Sequence, residues 1–340
     1  MATFNNRVET TTREEYMPEL VDTVLNSNVL ATNILKGAKK FKSGRMKFPI
    51  KTSKNNTGGS FSGFDTFSTS ASDTRNNLEF SPRFYQITVS LPLDEISINN
   101  TEGKVLDLID TEVKSSAQDM ADDIGSLFYD DGTGNSNKDF LGLGALVDDG
   151  TNVATIGGLS RSTFPTLQST VTASGGTLTL QKMRQLYNDV RSGNVRPTTG
   201  YTTEEVYSFY ENLLTSQERY DKTSGDARRG LVGGTGYEEL FFKTTPIHPD
   251  EKCDSGTLFF LNENFLDWMA LPMQMTEPVP YKAVDIEGND YSDVLGLGFS
   301  WSGWIKPTNS AAVVGHIYLG GNFITTNPKR HGKLTGITGV

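Results

Sequence analysis

The chain has 340 residues, of which 36% are apolar, while 34 glycines and 13 prolines make turns and extended backbone frequent. With 31 Lys and Arg against 41 Asp and Glu the net charge is −10, the wrong sign for gripping nucleic-acid phosphates over a broad surface. The single cysteine, Cys253, excludes a disulfide framework, and there is neither an apolar leader nor a run of about 18 apolar residues, so a soluble protein made in the cytosol is expected.

Residues 1–40 read as an arm meeting a short helix. Thr12 with Glu15 forms a capping box, and Leu20, Val21, Val24 and Leu25 recur at helical spacing. Residues 41–95 read as an extended hairpin. Period-two alternation places Met46, Phe48 and Ile50 on one face of a strand, and Tyr85, Ile87, Val89 and Leu91 on one face of its predicted partner. Between them, residues 52–82 hold 19 Ser, Thr, Asn or Gly among 31, a connection too long for a compact domain to leave idle. Its few apolar residues are Phe61, Phe64, Phe67, Leu78 and Phe80. Three phenylalanines at spacing three, with no local core, need a surface to bury against, and each covers about 150 Å² or more. These five are the candidate contacts to another subunit.

The strongest helix follows within 96–139. Val105, Leu108, Ile109, Val113, Ala117, Met120, Ala121, Ile124 and Leu127 form one apolar stripe from a start near Asn99, capped with Glu102, to Asp130-Asp131-Gly132. At about 1.5 Å per residue such a helix spans roughly 45 Å. Asp107, Asp110, Lys114, Ser115, Asp119 and Asp122 make its polar face. Residues 140–275 mix helices and strands. Leu180, Met183, Leu186, Tyr187 and Val190 predict one helix, Thr202-x-x-Glu205 opens a second through Val206, Phe209, Leu213 and Leu214, and strands are expected over 239–243 and 257–261. Residues 276–340 close with strand-like runs at Leu297, Phe299 and Trp301 and over 313–319, before the short basic end Lys329 to Lys333. The fold class is α+β, with no internal repeat at a fixed period.

Residues that could carry chemistry are sparse. His248, His316 and His331 are far apart and lack His-Glu-x-x-His spacing, so a zinc hydrolase has no ligand set. Gly142-x-Gly144 and Gly296-x-Gly298 lack the third glycine of a dinucleotide site and read as turns. The acidic stretch Asp285 to Asp290 lacks a calcium loop's terminal bidentate Glu and reads as a solvated turn. Cys253, with only His248 near it in sequence, reads as inert. No catalytic residue, metal or cofactor is expected.

Two local patterns complete the picture. Thr245-Pro246-Ile247-His248-Pro249-Asp250 precedes Gly256-Thr257-Leu258-Phe259-Phe260-Leu261-Asn262, and the chain closes through Pro328-Lys329-Arg330-His331-Gly332-Lys333-Leu334-Thr335. With these patterns and this order of elements, the chain resembles the major capsid proteins of tailed bacteriophages, the Hong Kong 97-type shell fold, over essentially its whole length. The resemblance implies an N-arm (1–40), an extended loop, or E-loop (41–95), the spine helix of the peripheral (P) domain (96–139), an axial (A) domain (140–275) and C-terminal peripheral strands (276–340). It implies self-assembly into hexamers and pentamers of an icosahedral head that encloses double-stranded DNA without reading its sequence. The protein would be made in the host bacterial cytoplasm and reside in the virion, with a portal and a decoration protein as further partners and no membrane.

Many family members begin with a long helical scaffolding segment that is cut away during maturation. None is encoded ahead of the hairpin here, so a separate scaffolding protein, or assembly without one, is expected. Some members weld their shells by an isopeptide between extended-loop lysine and peripheral asparagine. Lys51, Lys54, Asn322 and Asn327 stand in the corresponding regions, but the Ser/Thr/Asn-rich setting of Lys54 points to solvent, and no covalent linkage is expected. The rival readings are an encapsulin-like bacterial nanocompartment of the same fold and a monomeric β-rich binding module of a tail.

Overall fold

The computed structural model describes residues 29–40, 44–99, 108–215, 240–271, 299–302 and 304–339. Helix α1 (Val29–Lys36) and strand β1 (Lys39–Lys40) lead into β2 (Met46–Lys51), β3 (Arg75–Phe80), β4 (Arg83–Pro92), helix α2 (Leu93–Asn99) and helix α3 (Leu108–Leu127). The predicted hairpin forms with a different partner. β2 pairs with β3, Met46 opposite Phe80 and Lys51 opposite Arg75. β4 leaves the hairpin and pairs along its full length with β15 (Ala312–Thr325), Pro92 opposite Ala312 and Arg83 opposite Gly321. The reason lies in ladder length: β4 has 10 residues and β15 has 14, so pairing there satisfies more backbone than the 6 residues of β2 could. Pro82, between β3 and β4, lacks a donor and breaks the run.

The first sheet follows the order β1, β13 (Leu266–Ala270), β15, β14 (Phe299–Trp301), with β4 on the other side of β15. Helix α3 packs on it through Met120 and Ile124, and Phe128, just past the helix end, sits 5.3 Å from the Trp268 ring and 5.2 Å from that of Phe323. Phe140 meets Trp268 edge-on at 5.0 Å. The described α3 has 20 residues, about 30 Å, and α2 before it is a separate helix. At the end of α2, the Asn99 side-chain oxygen accepts the Leu108 N–H at 3.2 Å. Glu102 lies outside the described residues, as do the Thr12–Glu15 box, the stripe from Leu20 to Leu25, Glu239, the acidic stretch at 285–290, Gly296, Leu297 and Gly298.

Gly142 and Gly144 have a packing role. Carbonyls freed where α3 ends accept N–H groups from Leu143 (to Phe128, 2.7 Å) and Gly144 (to Tyr129, 3.0 Å). A Cβ at Gly142 would stand 2.3 Å from the Asp130 carbonyl oxygen and 2.5 Å from that of Leu127, so only glycine lets the chain close on the helix end.

The second sheet runs β10 (Leu240–Phe242), β11 (Thr245–Pro249), β9 (Thr199–Thr202), β12 (Leu258–Leu261), β16 (Gly332–Leu334) and β7 (Thr170–Thr172). Helices α4 (Leu180–Val190) and α5 (Glu204–Thr215) build a second core on it. β12 is buried throughout because alternate residues serve different cores: Leu258 and Phe260 pack with α4 and α5, Phe259 and Leu261 with the α3 core. Thr179 caps α4 as a standard N-cap, accepting from Lys182 N. α5 departs from expectation by one residue. Thr203 faces the Val206 N–H at 3.5 Å, while the Thr202 hydroxyl is drawn into the sheet, donating to the Thr257 carbonyl at 2.8 Å.

The sheets do not respect the expected boundary at residue 275. β13, inside the segment read as axial, belongs to the first sheet. β16 and β17 (Ile337–Gly339), read as peripheral, instead pair with β7 and β12 and with β8 (Gly176–Thr177). Asp250 joins the pieces. Buried to 2% exposure, its carboxylate accepts from Leu30 N at 3.0 Å, the Tyr129 hydroxyl at 2.9 Å and Lys252 N at 3.0 Å, tying α1 and the end of α3 to the second sheet.

Candidate assembly surface

The extended hairpin has two faces and a tip. On the inner face Leu78 and Phe80 are 0% and 2% exposed, and Phe80 meets the Phe48 ring edge-on at 6.4 Å. Both belong to the chain's own α3 core. This corrects the expectation for Leu78 and Phe80: the chain's own core buries Leu78 wholly and Phe80 almost wholly, leaving next to no side-chain area for a neighbouring subunit. The outer face carries Lys47, Pro49 and Lys51 of β2 opposite Glu79, Asn77 and Arg75 of β3. At the root, Arg45 and Lys47 pair with Glu79 at 2.8 and 3.3 Å, and the Arg45 hydrogen bond, followed by that of Lys47, holds the Glu79 carboxyl below its usual range.

The tip is different. Phe61, Phe64 and Phe67 are 67%, 106% and 68% exposed. Gly63, at φ +57°, turns the chain, and the Asp65 carboxylate accepts the Ser62 N–H at 2.8 Å, so Phe64 stands at the apex of a defined turn. Phe61 and Phe67 stack edge-on across it at 5.1 Å. One exposed aromatic pair, Phe61 and Phe67, thus stands beside a third ring, Phe64, that is wholly exposed. Exposed aromatic surface of this kind is a candidate interaction site.

A buried ionic cluster supports the hairpin from below. Glu79 N donates to the Gly157 carbonyl at 2.9 Å, so β3 rests on the small β5 (Thr155–Ile156) and β6 (Leu159–Ser160) hairpin. Arg161 follows β6, fully buried. It donates to the carbonyls of Asp148 and Ala145 and lies 3.7 Å from the Asp148 carboxylate. That carboxylate also accepts the N–H groups of Gly150, Asn152 and Val153, with Lys333 of β16 3.9 Å away. Burial pulls Lys333 below its ordinary range while Asp148 draws it back. Nothing in the sequence marks this cluster, because its members are separated by long stretches of chain. The like-charged pair Lys51–Arg75 was also missed, since reading Arg75-Asn76-Asn77-Leu78-Glu79-Phe80 as loop hid its alternation.

The remaining sequence candidates are occupied structurally. Asn322 is buried, its oxygen accepting from Leu141 N and its amide donating to the Ser81 carbonyl at 2.8 Å. Cys253 is buried, and desolvation pushes its thiol well above the usual range, opposite to what a nucleophile requires. His331 is fully buried between the Asn262 N–H at its Nδ1 and the Thr325 hydroxyl at its Nε2, and burial lowers its pKa to about 3. Among the described residues no group of His, Cys, Asp and Glu is placed to hold a metal, and no helix is long and apolar enough to cross a membrane.

No family model and no curated protein matches the sequence. Solved structures do match. The capsid protein of cyanophage A-1(L) superposes with a TM-score of 0.74 at 15% identity, covering 96% of each chain. An encapsulin from Synechococcus elongatus PCC 7942 gives 0.59 at 11% identity, over 99% of this chain and 96% of that one. The capsid of Myoviridae phage XM1 gives 0.51 at 13% identity, over 99% of each. The chain has the phage-capsid shell fold. In this shell fold the two patterns noted in the sequence are neighbours, Phe259 standing opposite Lys333 in the β12–β16 ladder, with Asp250 and His331 as the buried joints of their respective segments.

Proposed function

We propose that this chain is the major capsid protein of a tailed bacteriophage, a structural protein without catalytic activity. It assembles with copies of itself into hexamers and pentamers of an icosahedral head around double-stranded DNA. The observation that carries this reading is the likeness to the cyanophage capsid over 96% of both chains. The exposed tip aromatics agree with it: Phe61, Phe64 and Phe67 bury against a neighbouring subunit, each contributing about 2 to 3 kcal/mol. The net charge of −10 suits a lining from which packaged DNA can be spooled and released. A scaffolding protein, a portal and a decoration protein are the partners this role calls for, and the virion is its location.

The second reading is an encapsulin-like compartment, favoured by the match to the cyanobacterial encapsulin. The experiment is to produce the protein, image it by negative stain and probe recovered particles. Closed shells support both readings, and co-production with a portal and packaging motor separates them by nuclease-protected DNA. A monomer at all concentrations, as a tail binding module would give, contradicts both.

A further inference from the structure

Buried polar atoms without a partner are uncommon in a native fold, and each calls for an explanation. Among the described residues four side-chain atoms are in this condition, and three of them, Arg161 Nε, Thr166 Oγ1 and Arg330 Nε, belong to one seam of the molecule. The seam lies between two 3-10 turns, Pro165–Leu167 and Pro328–Arg330, which pack against each other. Ser169, just after the first turn, ties them together. Its hydroxyl donates to the Pro328 carbonyl at 2.7 Å and its N–H to the Asp148 carbonyl at 3.0 Å. The fully buried Arg161 guanidinium donates to that same Asp148 carbonyl, which places it behind Ser169. All three orphan atoms can donate a hydrogen bond, so what the seam lacks is an acceptor.

The charge here is also the reverse of the chain's. Residues 145–170 and 325–335 carry four Lys and Arg against two Asp, in a chain whose total is −10. Both acids already face cations: Arg161 and Lys333 lie beside Asp148, and Lys333 feels Asp149 and Asp254 as well. Among the described residues Lys329 and Arg330 have no ion-pair partner. Lys329 is exposed and Arg330 half-buried, so the seam opens to solvent at their side. Two unpaired cations beside orphan donors suit an anion, and a guanidinium presents its N–H groups as a fork that matches two oxygens of a phosphate at once.

We propose that this seam binds a phosphate oxyanion, with the Arg330 guanidinium as the fork, the Thr166 hydroxyl as a further donor and Lys329 as the charge at the rim. Arg161, tied to Asp148, is the wall behind them. The site stands apart from the shell reading, since it is made within one chain. Its phosphate is either the free ion or a backbone phosphate of a nucleic acid, and one notch of two cations gives a local hold that the acidic remainder of the surface does not extend.

The test uses the full chain and two probes at low ionic strength: inorganic phosphate, followed by isothermal titration calorimetry, and a fluorescent double-stranded oligonucleotide, followed by anisotropy. Binding should weaken at least tenfold with Arg330→Gln and at least threefold with Thr166→Val or Lys329→Gln. Arg330→Lys, which keeps the charge and loses the fork, should still weaken it at least threefold. Arg184→Gln, at an exposed position of α4, should leave it unchanged. Oligonucleotide binding that falls with the site substitutions supports the proposal and identifies the backbone phosphate as the source, whereas phosphate binding alone supports it with the free ion. Circular dichroism checks each variant, and if Arg330→Gln does not fold, Thr166→Val, which removes a single hydroxyl, carries the same test. Binding of neither probe at millimolar phosphate, or binding that Arg184→Gln weakens as much as the site substitutions do, overturns the proposal and leaves the shell reading intact.

Discussion

Phe128 and Phe64 are the same residue type in opposite circumstances. Phe128 is 0% exposed between Trp268 and Phe323, its position fixed by a helix end, two sheet strands and the glycines that let the chain close over them. Phe64 is 106% exposed at the apex of a four-residue turn, held by the Asp65 carboxylate. Phe128 is enclosed by the chain's own side chains, and the nearby Asp250 carboxylate is hydrogen-bonded within the chain, although the Trp268 indole N–H is buried without a partner. Around Phe64 the apolar groups are the unsatisfied ones. On the proposed shell reading the difference separates what folds a subunit from what joins subunits, and substitutions in the two regions should therefore act on different observables.

The largest effects belong to the α3 block. Trp268→Ala should cost about 3 to 5 kcal/mol of subunit stability through lost burial and a cavity facing Phe128 and Phe140, measurable by denaturant unfolding. A loss below 1 kcal/mol would mean that this core does not bear on folding. Asp148→Ala should cost a comparable 3 to 5 kcal/mol, about what removing one partner of a buried pair costs, because Arg161 and Lys333 are left buried without their carboxylate. It should also raise proteolysis within the β5–β6 hairpin, which Arg161 anchors.

A third effect depends on pH. The unfolded chain binds a proton at His331 below about pH 6.5, whereas the native site stays neutral down to about 3. Its contribution is therefore fully present above pH 6.5 and is lost progressively between 6.5 and 3, at up to about 1.4 kcal/mol per pH unit. NMR of the imidazole carbons should show His331 neutral at pH 5, and a native titration near 6.5 would remove this term. The smallest effects belong to the outer surfaces. Phe61, Phe64 and Phe67 each changed to Ser, or Asp119→Ala, should move subunit unfolding by no more than about 0.5 kcal/mol. Larger shifts would show that the tip or the polar face of α3 takes part in folding after all.

The same division governs what was legible in the sequence. Helix α4 was readable from its stripe because Met183, Leu186, Tyr187 and Val190 serve a single face, and the α+β class followed from the order of such elements. Pairing was not readable. β4 finds β15 across more than two hundred residues, and local alternation cannot announce a partner that distant. Thr202 is the better cap on paper, with Glu205 three residues on, but the Thr257 carbonyl across the sheet takes its hydroxyl and leaves the helix start to Thr203. Leu78 and Phe80 looked like tip residues because three of the six residues of β3 are Asn or Arg, yet the pleat turns Arg75 and Asn77 outward and the apolar pair inward, with Asn76 on the same face as the apolar pair. For the assembly surface, the three tip phenylalanines were visible as aromatics without a core. The charges behind them became visible only once Lys51 and Arg75 were seen to stand opposite each other.

The most direct test of the division removes the tip and leaves the block. Replacing residues 52–74 by Asn-Gly closes the hairpin where its ladder ends, from Lys51 to Arg75, with a two-residue turn that suits it. The account predicts a soluble protein with unchanged circular dichroism and unfolding midpoint that sediments as monomers or small capsomers and gives no closed shells in negative stain. Normal closed shells from this deletion would contradict the claim that the tip joins subunits, and a chain that no longer folds would contradict the claim that it does not hold one together.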